Sequence, residues 1–212
     1  MRKQKKQLTI YVVRHGEAEF NVKGIFGGTY EPNPLTPKGI YQAHELAQKF
    51  KDTKLDKIYS SDLSRAKKTA EIIAAIHNLS VETTPLLRER SYGRLQGMTF
   101  EKGRRQYKAA FAKEANLKSK KALKFKYVED MESLHDAVSR FKQFLKVVAN
   151  NQKGKTILIV SHFDIMIGYL IDIGFGIYQE LINAELDHTG YFKLVDIGET
   201  FQVKEIIGLD TL

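Results

Sequence analysis

The sequence predicts an α/β fold: a three-layer α/β/α sandwich on a mostly parallel central sheet, with an antiparallel edge and a short helical cap insertion. Three observations predict it. Short β-branched runs alternate with segments whose apolar residues recur at helical spacing, the pattern of parallel strands covered by helices on both faces. Three of the runs stop at polar tripeptides, Arg14-His15-Gly16, Ser60-Ser61-Asp62 and Ser161-His162-Phe163. In such sheets ligands bind beyond the carboxyl ends of the strands, so these tripeptides are expected at one edge of the sheet. The last two runs flank Asp196-Ile197-Gly198, which predicts a terminal hairpin.

The elements follow in order. Leu8–Val13 is a short buried strand that ends at Arg14. Lys38–Lys51 is a helix with Ile40, Ala43, Ala47 and Phe50 on one face. Lys57–Ser60 is a second strand, and the helix after it turns Ala66, Ala70, Ile73 and Ile76 inward and ends at a left-handed Asn78 cap. Val81–Thr84 is a third strand, followed by Pro85 and a loop rich in Arg and Glu. The stretch Met98–Met131 breaks the rhythm: rich in Lys and Ala, it is expected to be helical in pieces and to form the cap. Leu134, Val138, Phe141, Leu145 and Val148 mark another amphipathic helix. Thr156–Val160 is the fourth strand, a helix covers Ile165–Ile173, and Tyr191–Val195 and Phe201–Ile206 form the hairpin.

The 212 residues suffice for one substantial core, expected over 8–212, with 98–131 inserted into it and 1–7 as a basic flexible tail. No run approaches the roughly 20 apolar residues of a membrane span. The basic N-terminus leads straight into a strand, not into an apolar signal region, and cysteine is absent; both suit a cytoplasmic protein. Without cysteine, thiolate nucleophiles, disulfides and Cys-based zinc sites are excluded. The net charge of +9 is concentrated in the tail (Arg2, Lys3, Lys5, Lys6) and in the cap, which holds ten Lys or Arg against four acids. Such a surplus favours anionic partners, a phosphorylated metabolite, nucleic acid or an acidic surface; solvated surfaces are the plainer alternative.

Phosphoryl transfer needs a nucleophile, positive donors around the equatorial oxygens and a proton donor for the leaving oxygen. His15 follows a buried strand and serves as nucleophile if one ring nitrogen is held protonated and the other keeps its lone pair. Gly16 lets the backbone pass close to a phosphate, and the planar fork of Arg14 suits two phosphate oxygens. Arg65 lies one turn inside the helix after the second strand, His162 ends the fourth, and Glu89 sits in the loop after the third. Taken singly each has a plain alternative: a buried satisfied His162, a surface Arg65, or a surface Glu89 paired with Arg88 or Arg90. His44, His77, His135 and His188 keep such plain readings, although the loop of His188 could approach the site.

Together these segments resemble the histidine phosphatase superfamily, which includes cofactor-dependent phosphoglycerate mutases. Arg14-His15-Gly16-Glu17 with Asn21 is similar to the nucleophile motif, and Leu35-Thr36-Pro37-Lys38-Gly39 to the helix-opening motif. Ser60-Ser61-Asp62-Leu63-Ser64-Arg65-Ala66 resembles the second arginine motif, Leu87-Arg88-Glu89-Arg90-Ser91-Tyr92-Gly93 the acid-base segment, and Val160-Ser161-His162 the second histidine motif. The resemblance implies a phosphoglycerate mutase-like fold, a phosphohistidine on His15, and a pocket of Arg14, Arg65 and a protonated His162. It also implies Glu89 as general acid and base, its proton held by a dianionic substrate, and no metal. Asn21, Gly27, Gly28, Tyr92 and Phe163 are the expected substrate contacts, with simple packing as the alternative for Tyr92 and a plain turn as the alternative for Gly27-Gly28.

Four departures bear on the substrate. Phe163 stands where the family usually has glycine, and Gly27 where mutases carry Ser or Thr. Arg104-Arg105 comes too soon after Glu89 to be the mutase arginine pair, and Asp130-Met131-Glu132-Ser133 resembles the phosphatase branch. The run Glu89–Gly93 is nevertheless close to the mutase form. The favoured reading is a phosphatase acting on a small phosphorylated metabolite. The alternatives are a mutase, which alone would need 2,3-bisphosphoglycerate, and a non-catalytic phosphate- or nucleic-acid-binding protein, the weakest of the three. A homodimer through the sheet edge is left open.

Overall fold

A computed structural model describes residues 7–114, 117 and 119–210. The basic residues Arg2, Lys3, Lys5 and Lys6 lie outside them. The strands are β1 (Thr9–Arg14), β2 (Lys57–Ser61), β3 (Val81–Thr84), β4 (Thr156–Ser161), β5 (Glu185–Asp196) and β6 (Phe201–Asp210). The helices are α1 (Glu19–Val22), α2 (Pro37–Phe50), α3 (Ser64–His77), α4 (Phe100–Gln106), α5 (Lys108–Glu114), α6 (Ser119–Leu123), α7 (Leu134–Asn151), α8 (Phe163–Asp172) and α9 (Tyr178–Leu181). The sheet order is β3-β2-β4-β1-β5-β6. The first four in that order are mutually parallel, while β5 runs antiparallel to β1 and β6 antiparallel to β5.

Residues of β4 alternate between two cores, because successive strand side chains point to opposite faces. Ile157 and Ile159 pack with Ile10 and Val12 of β1 against α7 and α8. Leu158 and Val160 pack with Val13 and Ile58 against Ala43, Leu46 and Phe50 of α2 and Ala66, Ala70 and Ile73 of α3. This central strand is buried on both faces, which is why its sequence reads as one continuous apolar run. Local signals set the helix ends. Thr36 accepts a hydrogen bond from the Gly39 amide ahead of Pro37, Ser133 accepts one from Asp136, and α3 closes on Asn78 at φ 52°.

The expected α/β sandwich with an antiparallel edge is the observed fold. Two details differ. Ile40 and Ile76, expected inward, are 38% and 40% exposed, each within a turn of an end of its helix. Strand β5 starts at Glu185, six residues before the expected Tyr191, because a register shift between Leu186 and Tyr191 carries an irregular segment into the pairing with β6. The described residues of 98–131 fold in helical pieces, and they carry an apolar side. Phe26, Leu95, Val128 and Met131 form a small buried cluster with Met98, Tyr107, Phe111 and Tyr127 around it.

Candidate active site

Strands β2, β4 and β1 are neighbours in the sheet, so their carboxyl ends converge. Arg14 is the last residue of β1 and His15 follows it; His162 links β4 to α8; Arg65 is the second residue of α3. The Glu89 loop is pinned from below. Ser161 Oγ donates to the Leu87 carbonyl at 2.9 Å, and Arg140 donates to the carbonyls of Leu86 and Glu89 at 3.0 Å each while pairing with Glu132. A cavity of about 140 Å³ is lined in part by Arg14, His15, Arg65 and Glu89, whereas His162, fully buried, lies behind His15 and off the cavity wall.

The ring of His15 has a fixed tautomer. Nδ1 lies 2.6 Å from the Gly16 carbonyl, which can only accept, and Nε2 lies 3.1 Å from Arg65 Nε, which can only donate. Nδ1 therefore carries the proton and Nε2 the lone pair. Burial, then Arg65 and Arg14, hold the ring pKa well below 6.5, so it stays neutral and nucleophilic. Gly16 itself is required by packing: a Cβ there would lie 2.4 Å from the Gly39 carbonyl at the start of α2. The close approach that demands glycine is to that helix and not to the cavity.

Around His15 lie buried polar nitrogens that no protein group satisfies. Arg14 Nε, Arg65 Nη1 and both ring nitrogens of His162 have no hydrogen-bond partner among the described residues. Glu31 reaches Arg65 Nη1 only as an ion pair at 3.6 Å. Orphaned buried donors are costly, and those of Arg14 and Arg65, both residues of the cavity wall, fit an oxyanion with several acceptor oxygens. The other Arg14 nitrogens are spent on position. Nη1 donates to the Leu186 carbonyl, Nη2 donates to His188 Nε2 at 3.1 Å, and the guanidinium carbon lies 5.1 Å from the centre of the Phe163 ring. Arg65 Nη2 donates to the Gly28 carbonyl at 2.8 Å. The rings of His15 and His162 are 5.1 Å apart. With the protein's own charges alone, burial and then Arg65 and His15 hold His162 well below 6.5, so the charge expected on it must come with the anion.

Glu89 is not a surface carboxylate and pairs with neither neighbour. Arg88 binds Asp62, and Arg90 binds Asp164. Glu89 is 7% exposed; Oε1 accepts from the Arg90 amide at 3.0 Å and Oε2 from the Asp164 amide at 3.1 Å. Burial first, and the Asp164 charge second, push its pKa up to about 7. The shift expected from a substrate is thus already built into the protein.

Of the expected contacts, Asn21, Gly27, Gly28, Tyr92 and Phe163 all line the cavity. Asn21 Oδ1 is committed to the Ala18 amide, leaving its NH₂ to donate. Gly28, at φ 52°, could not take a side chain: a Cβ would meet Gln96 Oε1 at 2.6 Å and the Arg90 carbonyl at 2.8 Å. Sequence reasoning missed the buried Arg90–Asp164–Tyr92 cluster, in which Asp164 takes bonds from both Arg90 Nε and Tyr92 Oη. Its one signal was Asp164 in the first turn of the helix after His162. The loop of His188 does approach the site, as the sequence allowed, and its partner there is Arg14.

Known proteins resemble this chain in sequence and in fold. Phosphoserine phosphatase 1 of Hydrogenobacter thermophilus is 34% identical over 153 residues, 72% of this chain and 70% of that one. A 2,3-bisphosphoglycerate-dependent phosphoglycerate mutase of Thermoplasma acidophilum is 42% identical over 86 residues, 41% of this chain and 43% of that one. The structure of a phosphoglycerate mutase from Bacillus anthracis shares the fold, with a TM-score of 0.84 over 96% of this chain and 94% of that one at 20% identity. Residues 10–206 match the profile of the histidine phosphatase superfamily (branch 1), and the chain belongs to that superfamily, as a phosphatase or a mutase.

Proposed function

We propose that the protein is a cytoplasmic phosphatase that hydrolyses a small phosphomonoester through a phosphohistidine on His15. The observation that carries this is the neutral, Nδ1-protonated His15 beside a buried carboxyl group whose pKa is about 7. His15 Nε2 attacks phosphorus in line as the P–O bond to the alcohol breaks, and protonated Glu89 gives its proton to the leaving alkoxide. Arg14, Arg65 and a His162 charged by the incoming dianion neutralise the equatorial oxygens. Ionised Glu89 then takes a proton from water, whose oxygen displaces the imidazole, releasing phosphate and restoring the lone pair. A carboxyl poised near pH 7 suits both halves of the cycle. The guanidinium groups stand where a metal stands in other phosphoryl-transfer sites. The segment 98–131 serves as a cap over the pocket.

Two observations favour phosphatase over mutase. The cations lining the cavity are Arg14 and Arg65, enough for one phosphoryl group, whereas Arg104 lines a separate depression with Lys108 and Tyr127. The phosphatase relative matches across 72% of this chain and the mutase across 41%. The test is phosphate release from an aryl phosphate in the presence of EDTA, compared with the His15→Ala variant. Release that vanishes in the variant supports the proposal; turnover that needs a bisphosphoglycerate primer and returns the phosphoryl group to substrate would replace it with a mutase.

A further inference from the structure

Resting on the phosphatase reading, we infer that the substrate is a phosphomonoester of an apolar, uncharged alcohol, and not of a carboxylated one. The cavity of about 140 Å³ has roughly the volume that accepts a single benzene, so a phosphoryl group and its first carbons fill it. The rest of the alcohol must lie on the lining nearer solvent. Phe20, Ile25, Tyr92, Phe100 and Phe163 supply its apolar part, with Phe100 itself 42% exposed, beside the amides of Asn21 and Asn33.

The charges of the cavity wall are already allotted. Arg14 and Arg65 surround the nucleophile, Glu89 is the proton carrier, and Asp164 is compensated by Arg90 and Tyr92. No lysine and no third arginine lines the cavity among the described residues. A substrate carboxylate would find there no cation beyond the two that hold the phosphoryl group, only the neutral amides of Asn21 and Asn33, and it would lie near Asp164. An alkyl or arylmethyl group would cover Phe100 and Phe163 and remove apolar surface from water. The basic surplus of the cap does not change this, because Arg104 and Lys108 border a different depression, built around Phe111 and Tyr127.

The test compares kcat/KM for benzyl phosphate and n-hexyl phosphate with that for O-phosphoserine and 3-phosphoglycerate. All four release an alkoxide, so the comparison is not dominated by an activated leaving group. The expected result is a preference of at least about tenfold for the two apolar esters. In Phe100→Arg, which brings a cation to the mouth, the preference for benzyl phosphate over 3-phosphoglycerate should fall about tenfold. This ratio is read within one preparation and does not depend on how much of the variant folds. Equal or faster turnover of O-phosphoserine or 3-phosphoglycerate by the unaltered protein overturns the inference and leaves the phosphatase standing. No phosphate from any of the four overturns the phosphatase reading and this inference with it.

Discussion

Glu89→Gln should make the protein nearly inactive and, at alkaline pH, more stable relative to the unaltered chain. Glu89 has its pKa raised from 4.5 to about 7 by burial and by Asp164. Below pH 4.5 the carboxyl is protonated in both folded and unfolded chains and favours neither. As pH rises toward 7 the unfolded chain releases this proton while the folded one retains it, so stability falls. Above pH 7 the loss approaches its full size of about 3–4 kcal/mol, the separation of the two values times about 1.4 kcal/mol each. Glutamine cannot ionise and escapes this term. It does turn an NH₂ toward one of the two amides that now donate to Glu89, a cost of about 1–3 kcal/mol that is the same at every pH. The quantity to measure is therefore the stability of the variant minus that of the parent, from urea unfolding at pH 4 and at pH 8. The shifts of His15 and His162 are common to both proteins and cancel. The difference should move in favour of the variant by about 3 kcal/mol between the two pH values, while kcat on an alkyl phosphate falls about 10²–10⁴-fold. A difference that does not change with pH, or that moves the other way, would refute the assignment of Glu89 as a buried proton carrier.

Arg90→Met should cost about 3–5 kcal/mol in urea unfolding, because Asp164, 8% exposed, would be left as an uncompensated buried charge; adding Asp164→Asn should recover most of the loss. Gly28→Ala should cost at least about 1–2 kcal/mol for a left-handed backbone alone, and kcat/KM should fall as the carbonyl that holds Arg65 is displaced. Binding of inorganic phosphate near pH 7 should take up protons onto both His162 and Glu89, and the uptake should shrink but not vanish in His162→Asn; calorimetry in two buffers of different ionisation enthalpy reads it.

The layers of the fold were legible because they rest on local signals. The β-branched runs, the Thr36-Pro37 start of α2 and the Asn78 cap each act within a few residues. The convergence of Arg14, His15, Arg65 and His162 followed once the strands were taken as parallel, since parallel strands bring their carboxyl ends to one edge. What stayed hidden depends on partners distant in sequence. Arg90 and Asp164 are 74 residues apart, and Arg14 and His188 are 174 apart; no periodicity relates them. The source of the Glu89 shift was hidden for the same reason, because the charge that assists burial comes from Asp164 on α8. Ile40 and Ile76 were misplaced because helical spacing gives the direction of a side chain and not how completely it is covered, and both lie within a turn of a helix end.

The central claim is the phosphohistidine, and trapping it is the most direct test. Glu89→Gln should still be phosphorylated by p-nitrophenyl phosphate, whose leaving group needs no proton, but should lack the base that activates water, so the intermediate should accumulate. Quenching in alkali, which preserves a P–N bond, and mapping the peptides should find a phosphoryl group on His15 that mild acid removes. Its absence from His15, its presence on another residue, or undiminished phosphate release by His15→Ala would contradict the account.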